Sequence, residues 1–242
     1  MPPVRTLPAF RTAFQPIVDV ETGLTIAQEA LVRGPQGQSA ASVLGAVAGA
    51  DAHRLDAAIR IAAVAEALRL GLPATTAALT VNIAVPVIDD PDLGAPATLA
   101  AAEAMAFPPD RLVFEISEME DIADPAALGA ALAALQRRGV RVALDDVGTG
   151  QARMPLLLAF RPDGAKVARE VITGLDRDPA VRERVRGTLG QLAAFGLVPV
   201  VEGVETPAEL AALRALGVRA MQGYLFARPA VGVLPVPVVP AP

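Results

Sequence analysis

The sequence predicts an α/β fold, a TIM-like (β/α) barrel with one antiparallel strand near the N-terminus. Three observations indicate this fold class. The length of 242 residues suits one such barrel or two small domains. Short apolar runs alternate with helix-like segments over most of the chain, as they do in parallel sheets. The first two strand-like runs are instead joined by the short turn Glu21-Thr22-Gly23, which predicts an antiparallel hairpin.

The predicted strands are short apolar or alternating runs, and the predicted helices have apolar residues at helical spacing or helix end signals. The strands are residues 14–20, 24–33, 79–82, 111–116, 140–145, 164–167, 197–202 and 218–222. The helices are residues 40–50, 55–70, 97–106, 125–138, 179–195 and 207–216. Gly139, Gly196 and Gly217 directly follow predicted helices, where glycine readily ends a helix.

The predicted organisation has three parts: an N-terminal extension (1–11), the barrel domain (12–231) and a Pro-rich tail (232–242). Proline, valine and alanine dominate the tail, which favours a linker or a disordered end. The first ten residues hold three prolines and lack the apolar segment of a signal peptide. The uncharged run 70–88 is interrupted by Pro73 and Pro86, so it predicts a loop and a strand. We therefore expect a cytoplasmic protein without membrane insertion.

The composition excludes several classes of function. The net charge of -5 argues against a protein that binds DNA or RNA polymers, because such proteins usually present a basic face. The absence of cysteine excludes disulfides, zinc–thiolate sites and thiol catalysis. The single histidine, His53, leaves no Ser-His-Asp triad. A general base must therefore be a carboxylate, a lysine or a tyrosine.

Residues 140–150 combine a buried strand with two adjacent acids. The apolar strand ends in Asp145 and Asp146, and the loop Gly148-Thr149-Gly150 follows. Two carboxylates that approach each other repel and tend to keep a proton unless a cation lies between them. Magnesium prefers oxygen ligands and is a natural partner. The alternative is that one aspartate caps the following segment while the other is solvated.

A polar side chain stands at or near the end of every predicted strand from the second to the eighth. These residues are Glu29, Asn82, Glu115, Asp145, Lys166, Glu202 and Gln222. The carboxyl ends of barrel strands converge on one face, so these side chains should meet. The first four offer only oxygen donors suited to Mg²⁺ or Mn²⁺, and Asp146 could hold a second ion. Lys166 and Glu202 then remain for charge stabilisation and proton transfer, which suits phosphodiester hydrolysis.

The same residues form an ordered series of motifs. The series is Glu29-Ala-Leu-Val-Arg33, Val81-Asn82-Ile83, Phe114-Glu115-Ile-Ser-Glu118, Asp145-Asp146-Val-Gly-Thr-Gly150, Lys166, Val201-Glu202-Gly-Val-Glu205-Thr206 and Gln222-Gly-Tyr-Leu-Phe226. From residue 14 to residue 229 the chain resembles the EAL-domain cyclic di-GMP phosphodiesterases. One such motif alone is a weak signal, whereas seven in order are highly specific.

The resemblance implies roles for these residues. The metal ligands would be Glu29, Asn82, Glu115 and Asp145 for a first Mg²⁺ or Mn²⁺ ion and Asp146 for a second. The catalytic residues would be Glu202, which assists the attacking water, and Lys166. The substrate-binding residues would be Gln15, Leu31, Arg33 and Gln222. The loop and its supports would be Glu118, Gly148, Thr149, Gly150 and Glu205. The implied reaction opens one phosphodiester of cyclic di-GMP to give linear pGpG, and the implied assembly is a homodimer.

The chain departs from the family motifs at two places. Ala168 stands where the family has an aspartate two residues after the lysine. Residues two apart on a strand share a face, so that carboxylate would point into the site beside Lys166. Val147 and Gln151-Ala152-Arg153 replace a phenylalanine and a Tyr-Ser-Ser run of the loop that the family uses in its dimer.

These departures leave two main hypotheses. The first is an active phosphodiesterase, with turnover lowered by Ala168. The second is a degenerate domain that binds cyclic di-GMP or a protein partner without hydrolysis. A third hypothesis, another metal-dependent barrel hydrolase, agrees less well with the motif series.

Overall fold

A computed structural model describes residues 6–116, 124–148 and 161–240. Its strands are short, buried runs that follow the predicted order along the chain. They are β1 (Arg11–Asp19), β2 (Thr25–Arg33), β3 (Ala78–Ile83), β4 (Leu112–Ile116), β5 (Arg141–Val147), β6 (Gly164–Val167), β7 (Val198–Val201), β8 (Ala220–Met221) and β9 (Ala230–Val231).

The strands β1 to β8 close into a barrel. Each strand from β2 to β7 pairs in parallel with the next, and β1 closes the ring through antiparallel pairing with both β2 and β8. β9 pairs with β1 outside this ring. The predicted TIM-like barrel with one antiparallel strand is therefore confirmed. β9 was not predicted, because two residues are too short to show a periodic pattern.

Helices surround the barrel and mostly begin at well-defined caps. They are α1 (Ala40–Leu44), α2 (Ala50–Arg69), α3 (Ala95–Ala104), α4 (Pro125–Arg137), α5 (Arg169–Ile172), α6 (Pro179–Ala194) and α7 (Pro207–Ala215). The side chains of Asp124, Asp178 and Thr206 accept hydrogen bonds from the first turns of α4, α6 and α7. Proline follows each cap, at a position whose N–H has no helical partner in any case.

The predicted helix 40–50 is wrong in its second half. α1 ends at Leu44, and α2 already begins at Ala50 instead of residue 55. Gly45 and Gly49 flank the interruption, and Gly49 has a φ of 60°, which a helix does not allow. The short helix α5 was not predicted either, because four residues carry too little periodicity.

Two apolar layers hold the barrel together. The larger layer lies between strands and helices and includes the fully buried Phe14, Leu79 and Phe114. The smaller layer consists of Ile17, Ala27, Ala78, Val113 and Ala143, with Val200 packed against it. Several of these lie two positions before a predicted site residue, as Ala27 does before Glu29. Since alternate strand residues share a face, the polar side chains form the next layer inside the barrel.

The C-terminal tail packs against the barrel. Gln28 Nε2 donates to the carbonyl oxygen of Pro235 at 3.2 Å, and the backbone N–H of Val238 donates to Phe226 O at 3.0 Å. Leu234 and Val239 contact the larger apolar layer. The expectation of a linker or disordered end is therefore wrong for residues 233–240. This packing depends on carbonyl oxygens and apolar side chains, and a proline-rich segment still provides both.

The uncharged run 70–88 folds as predicted, into loop and strand. Two single 3₁₀ turns, Leu72–Ala74 and Val85–Val87, flank β3. In the described ranges we find no helix with the length and apolarity needed to cross a membrane.

Candidate active site

Seven predicted site residues meet where the parallel strands end. Glu29, Asn82, Glu115, Asp145 and Lys166 lie within β2 to β6, whereas Glu202 and Gln222 directly follow β7 and β8. The pairing register places Asn82 opposite Glu115 and Lys166 opposite Val200, two residues before Glu202. The sheet therefore brings side chains from distant parts of the sequence into one layer.

Lys166 lies at the centre of this layer and is only 2% exposed. Its Nζ is 2.5 Å from Glu202 Oε1, 3.0 Å from Glu115 Oε2, 3.3 Å from Glu29 Oε2 and 3.6 Å from Asp145 Oδ1. We call these four carboxylates, with Lys166 and Asp146, the acidic cluster. One buried ammonium therefore balances several buried carboxylates, which would otherwise repel each other.

Two amides fix the carboxylate of Glu29. Asn82 Nδ2 donates to Glu29 Oε1 at 3.3 Å, and Gln222 Nε2 donates to Glu29 Oε2 at 2.8 Å. With Lys166 beside Oε2, both oxygens of Glu29 have partners. The amides thus orient this carboxylate within the acidic cluster.

Asp145, Asp146 and Glu202 form the open side of the acidic cluster. One carboxylate oxygen from each lies within 4.8 Å of the other two. Adjacent strand residues ordinarily point to opposite faces, but Asp146 has a left-handed backbone with a φ of 53°. This conformation breaks the alternation and lets both aspartates serve one centre. The N–H of Asp146 also donates to Asp145 Oδ1 at 3.0 Å.

The cluster shifts the proton affinities of its members. Burial raises the pKa of Glu115 well above its usual range, against the attraction of Lys166. Burial likewise raises the pKa of Asp145, and it raises that of Glu202 to about 7. Burial disfavours the Lys166 ammonium, but the surrounding carboxylates outweigh it and hold the lysine pKa well above its usual value. Burial also opposes the charge of Glu29, yet Lys166 and the amide donors together lower its pKa.

The donor set fits a divalent cation. It consists of carboxylate and amide oxygens, the ligands that Mg²⁺ and Mn²⁺ prefer. Burial raises the pKa values of Glu115 and Asp145, and a bound cation would favour their charged forms instead. Glu29, Asn82, Glu115 and Asp145 could hold one ion and Asp146 a second, with the Glu202 carboxylate beside it.

We expect Mn²⁺ to bind more tightly as the pH rises from about 6 to about 8, because metal ligands must lose their protons. Raised pKa values mean that protons persist on Glu115, Asp145 and Glu202 closer to neutral pH, where they compete with the ion. Calorimetry in two buffers of different ionisation enthalpy measures both the affinity and the protons released. A pH-independent affinity without proton release would contradict a metal site in the acidic cluster.

The acidic cluster faces an open cleft of about 360 Å³. Gln15, Leu31 and Gln222 line this cleft, and their role in substrate binding stays a prediction. Gln15 Nε2 also donates to the carbonyl of Ala227 at 3.1 Å and thereby ties β1 to the loop after β8. Arg33 does not line the cleft, and its Nη1 donates to Val32 O at 2.7 Å. Its contact with a ligand phosphate stays a prediction.

The predicted loop residues are only partly described. Glu118, Thr149 and Gly150 lie outside the described residues. Gly148 has a φ of 97°, and a Cβ there would lie 2.7 Å from Val171 Cγ2, so only glycine fits. Glu205 lines the cleft and forms an ion pair with Arg169 at 3.3 Å, which holds its side chain beside the site.

Ala168 occupies a different environment from the one expected. β6 ends at Val167, and Ala168 already starts the turn into α5. Its methyl group is 1% exposed and packs in the larger apolar layer. Strand alternation therefore ends at Val167. It does not place the side chain at position 168 on the same face as Lys166, contrary to the expectation from the sequence. The N–H of Ala168 donates to Val147 O at 3.4 Å, directly beside the turn at Asp146.

The cleft also contains residues to which the sequence assigned no role. Arg169, Glu170, Gly203 and Tyr224 line it. Arg169 donates to the carbonyl of Gly203 and pairs with Glu209 Oε1 at 3.2 Å. Tyr224 follows Gln222 by two residues within the last motif and is the only tyrosine of the chain. Its place in that motif was the available signal for a position beside the site.

Fold and site together define a (β/α) barrel protein with an acidic, lysine-centred cleft at the carboxyl ends of its strands. The residue pattern of the EAL domain matches residues 6–229, and the chain belongs to the EAL domain family.

Relatives and solved structures agree with this membership. The cyclic di-GMP phosphodiesterase RocR of Pseudomonas aeruginosa is 34% identical over 123 residues, which are 51% of this chain and 31% of RocR. A standalone EAL protein from Vibrio cholerae O395, solved with c-di-GMP bound, is 32% identical with a TM-score of 0.88, over 97% of this chain and 98% of that chain. Klebsiella pneumoniae BlrP1, in a manganese/c-di-GMP complex, is 29% identical with a TM-score of 0.84, over 96% of this chain and 58% of that chain.

This chain spans about half or less of the length of the first curated relatives that it matches. The boundaries at 1–11, 12–231 and 232–242 stay predictions.

Proposed function

We propose that this chain is a metal-dependent phosphodiesterase that hydrolyses cyclic di-GMP to linear pGpG. The observation that carries the proposal is the acidic cluster, in which Lys166 and Glu202 lie 2.5 Å apart beside an oxygen-rich donor set. Membership of the EAL domain family and the cyclic di-GMP in related structures support the substrate. The manganese in the BlrP1 complex supports Mg²⁺ or Mn²⁺ as the cofactor.

The residues of the acidic cluster would have separate roles in the reaction. When bound, a divalent ion supplies positive charge for the phosphodiester oxygens and makes a nearby water more acidic. Glu202 would accept the proton of the attacking water, since a base with a pKa of about 7 works well near neutral pH. Lys166 would orient Glu202 and stabilise the charge that grows on the phosphate. As the water oxygen bonds to phosphorus, the bond from phosphorus to one ribose 3′ oxygen would break, and that oxygen would take up a proton from solvent to give linear pGpG.

The remaining residues would hold the substrate. Gln15, Leu31, Arg33 and Gln222 would contact cyclic di-GMP, and the chain would assemble as a homodimer. Incubation of the purified chain with cyclic di-GMP and Mn²⁺, followed by chromatography, tests the activity. We expect pGpG to form and its formation to stop in chelator. Lack of product with both Mg²⁺ and Mn²⁺ would overturn the proposal.

A second candidate function is a receptor that binds cyclic di-GMP without hydrolysis. Ala168 favours it, because the chain lacks a carboxylate that the resemblance places near Lys166. Calorimetry separates the two functions: micromolar or tighter binding without product indicates a receptor. Absence of binding would instead indicate a scaffold for a protein partner.

We expect Ala168→Asp to raise turnover by about ten- to hundredfold at saturating Mn²⁺, the usual effect of a group that orients metal ligands. Position 168 is bonded to Val147 on one side, and on the other side Val167 O accepts the N–H of Glu202 at 3.0 Å. The backbone at position 168 thus lies between the strand ends that carry Asp146 and Glu202, while its methyl group packs in the larger apolar layer, so the aspartate has to turn toward the cleft to act. Steady-state kinetics with cyclic di-GMP measures the change.

Ala168→Asn is the matched control, since it has the same shape without the charge. Because position 168 is buried, the aspartate variant should melt at a lower temperature in chelator and recover when Mn²⁺ is added. Equal turnover of wild type and a folded aspartate variant would mean that Ala168 does not limit the reaction.

A further inference from the structure

We propose that the barrel holds a second binding site, at the end opposite the acidic cluster, for a small neutral molecule with an apolar ring and one hydroxyl group. We call this site the basal cavity. It has a volume of about 180 Å³, and its walls include Ala27, Ala78, Thr80, Val113, Ala143 and Val200. The basal cavity is separate from the open cleft, and its ligand is unrelated to cyclic di-GMP.

The basal cavity lies where the parallel strands begin. Arg141, Gly164 and Val198 are the first residues of β5, β6 and β7, and all three line the cavity. Val198 is 64% exposed, so this end of the cavity borders on solvent. At the inner end the cavity reaches Glu115 and Lys166, whereas the open cleft reaches Lys166 from the carboxyl ends of the strands. The same buried lysine is therefore approached from both ends of the barrel.

Small side chains create the basal cavity. The interior of a (β/α) barrel is ordinarily filled by layers of bulky valine, isoleucine and leucine side chains. In this chain the smaller apolar layer has alanine at three of its five buried positions, Ala27, Ala78 and Ala143. Gly164 and Ala220 add two further small residues to the wall. The strands therefore enclose space that their own side chains do not occupy.

A buried hydroxyl on the wall lacks a hydrogen-bond partner. Thr80 is 3% exposed, and its Oγ1 has no partner among the residues that the structure describes. Thr80 stands between Ala78 and Asn82 at alternate positions of β3, so it shares their inner face. Rotation about χ1 exchanges Oγ1 with the methyl group, which lets the hydroxyl turn toward a ligand. A ligand hydroxyl would then remove the cost of leaving Oγ1 unpaired.

The charges around the basal cavity favour a neutral ligand. Arg141 and Asp163 both line it and carry opposite charges, and Asp163 Oδ2 accepts the N–H of Val142 at 2.8 Å. At the inner end, the Lys166 ammonium already lies 3.0 Å from Glu115. A charged ligand would therefore lose its hydration without gaining an unpaired counter-ion there. Water is a poor occupant of most of this space, because it needs about two to four polar partners and most of the wall is apolar.

The volume of the basal cavity is sufficient for one six-membered ring. Apolar cavities of roughly 150 Å³ bind benzene, and the basal cavity measures about 180 Å³. Phenol adds one hydroxyl to the same ring and is uncharged at neutral pH, since the pKa of a phenolic hydroxyl is about 10. Phenol is therefore the probe, and benzene is the matched molecule without the hydroxyl.

Ligand-observed NMR titrations of the full chain with phenol and benzene test the site. We expect both to bind saturably, and phenol to bind about two- to tenfold more tightly, the range for one net hydrogen bond. Thr80→Val keeps the branched shape without the hydroxyl, so this variant should bind benzene as wild type does and lose the preference for phenol. Ala78→Leu fills the cavity and should weaken the binding of both probes by more than about tenfold.

The absence of cysteine from the chain permits a second measurement. Ala78→Cys places a single thiol on the cavity wall. We expect methyl methanethiosulfonate to modify this thiol, as measured by intact mass, and phenol to slow the modification in a saturable way. Ala67→Cys is the matched control, because Ala67 is just as buried but lies in the larger apolar layer between strands and helices. Its thiol should stay unmodified on the same timescale.

Phenol binding that Ala78→Leu removes, together with protection of Ala78→Cys by phenol, supports the basal cavity as a ligand site. Lack of saturable binding by wild type overturns it, as does equal phenol binding by wild type and a folded Ala78→Leu variant. Equal affinities for phenol and benzene, unchanged in Thr80→Val, overturn the contact with Thr80. If thermal melting shows that Ala78→Leu does not fold, Ala78→Val, which fills less of the cavity, should weaken binding in the same direction. No measurement here uses cyclic di-GMP or Mn²⁺, so the result is independent of the phosphodiesterase activity.

Discussion

Glu115→Gln is expected to abolish Mn²⁺ binding at micromolar concentrations and to lower turnover by more than about a thousandfold, because a buried metal ligand loses its charge. Glu115 is 1% exposed and lies 3.0 Å from Lys166. Calorimetry with Mn²⁺ and steady-state kinetics with cyclic di-GMP measure the two losses.

The same substitution should leave the metal-free fold nearly unchanged. Glutamine retains the shape of this side chain, and burial, which raises the pKa of Glu115, already disfavours its charged form without metal. Lys166 keeps Glu29, Asp145 and Glu202 as partners. We therefore expect the free energy of unfolding in chelator to change by less than about 1 kcal/mol.

Glu66→Gln is the matched control, because Glu66 pairs with Arg69 on the surface of α2, away from the cleft. It should bind Mn²⁺ and turn over as wild type does. Unchanged Mn²⁺ affinity of Glu115→Gln would show that Glu115 is not a metal ligand and would require a different donor set.

Glu202→Gln is expected to lower kcat by about a hundred- to ten-thousandfold, the range for loss of a general base. The amide cannot accept the proton of water, but it retains the shape of the side chain beside Lys166. Binding of cyclic di-GMP should stay within about threefold of wild type, since the base acts in the chemical step. Calorimetry and product chromatography separate these two quantities.

Glu205→Gln serves as the control for Glu202→Gln. Glu205 also lines the cleft, but its carboxylate pairs with Arg169 at 3.3 Å instead of Lys166. A modest effect is expected for this variant. Equal losses of kcat in both variants would falsify the assignment of Glu202 as the base. They would indicate a general electrostatic effect of the carboxylates that line the cleft.

The barrel and the layer of polar side chains at its strand ends could be predicted, because both depend on short-range patterns. Strand alternation links Ala27 to Glu29 and Val113 to Glu115, so the sequence already separates an apolar layer from a polar one. The order of the motifs then identified the polar residues of this layer. No long-range information was needed, since parallel strands place their ends on one face by topology alone.

Other features depend on contacts between distant residues and could not be predicted. Gln28 and Pro235 are 207 residues apart, and a Pro-rich composition is the same in a packed tail as in a disordered one. The left-handed backbone at Asp146 could not be predicted either, because aspartate adopts this conformation more often than most residues but only at a small fraction of its positions. The contact between Arg228 and the ring of Tyr224 depends on the conformation of the loop after β8, which the sequence alone does not reveal.

The enclosed ammonium at the centre of the barrel has a further consequence. Lys166 is the only lysine among the 21 lysine and arginine residues of the chain. A guanidinium is broader and planar, so a chain that otherwise uses arginine retains the compact amine where space is limiting. Apart from its own amino terminus, the protein thus offers acylating reagents a single target. Intact-mass measurement of that one modification would report how often the amine is both reached by the reagent and unprotonated, which the surrounding carboxylates, by raising the pKa of Lys166, make rare.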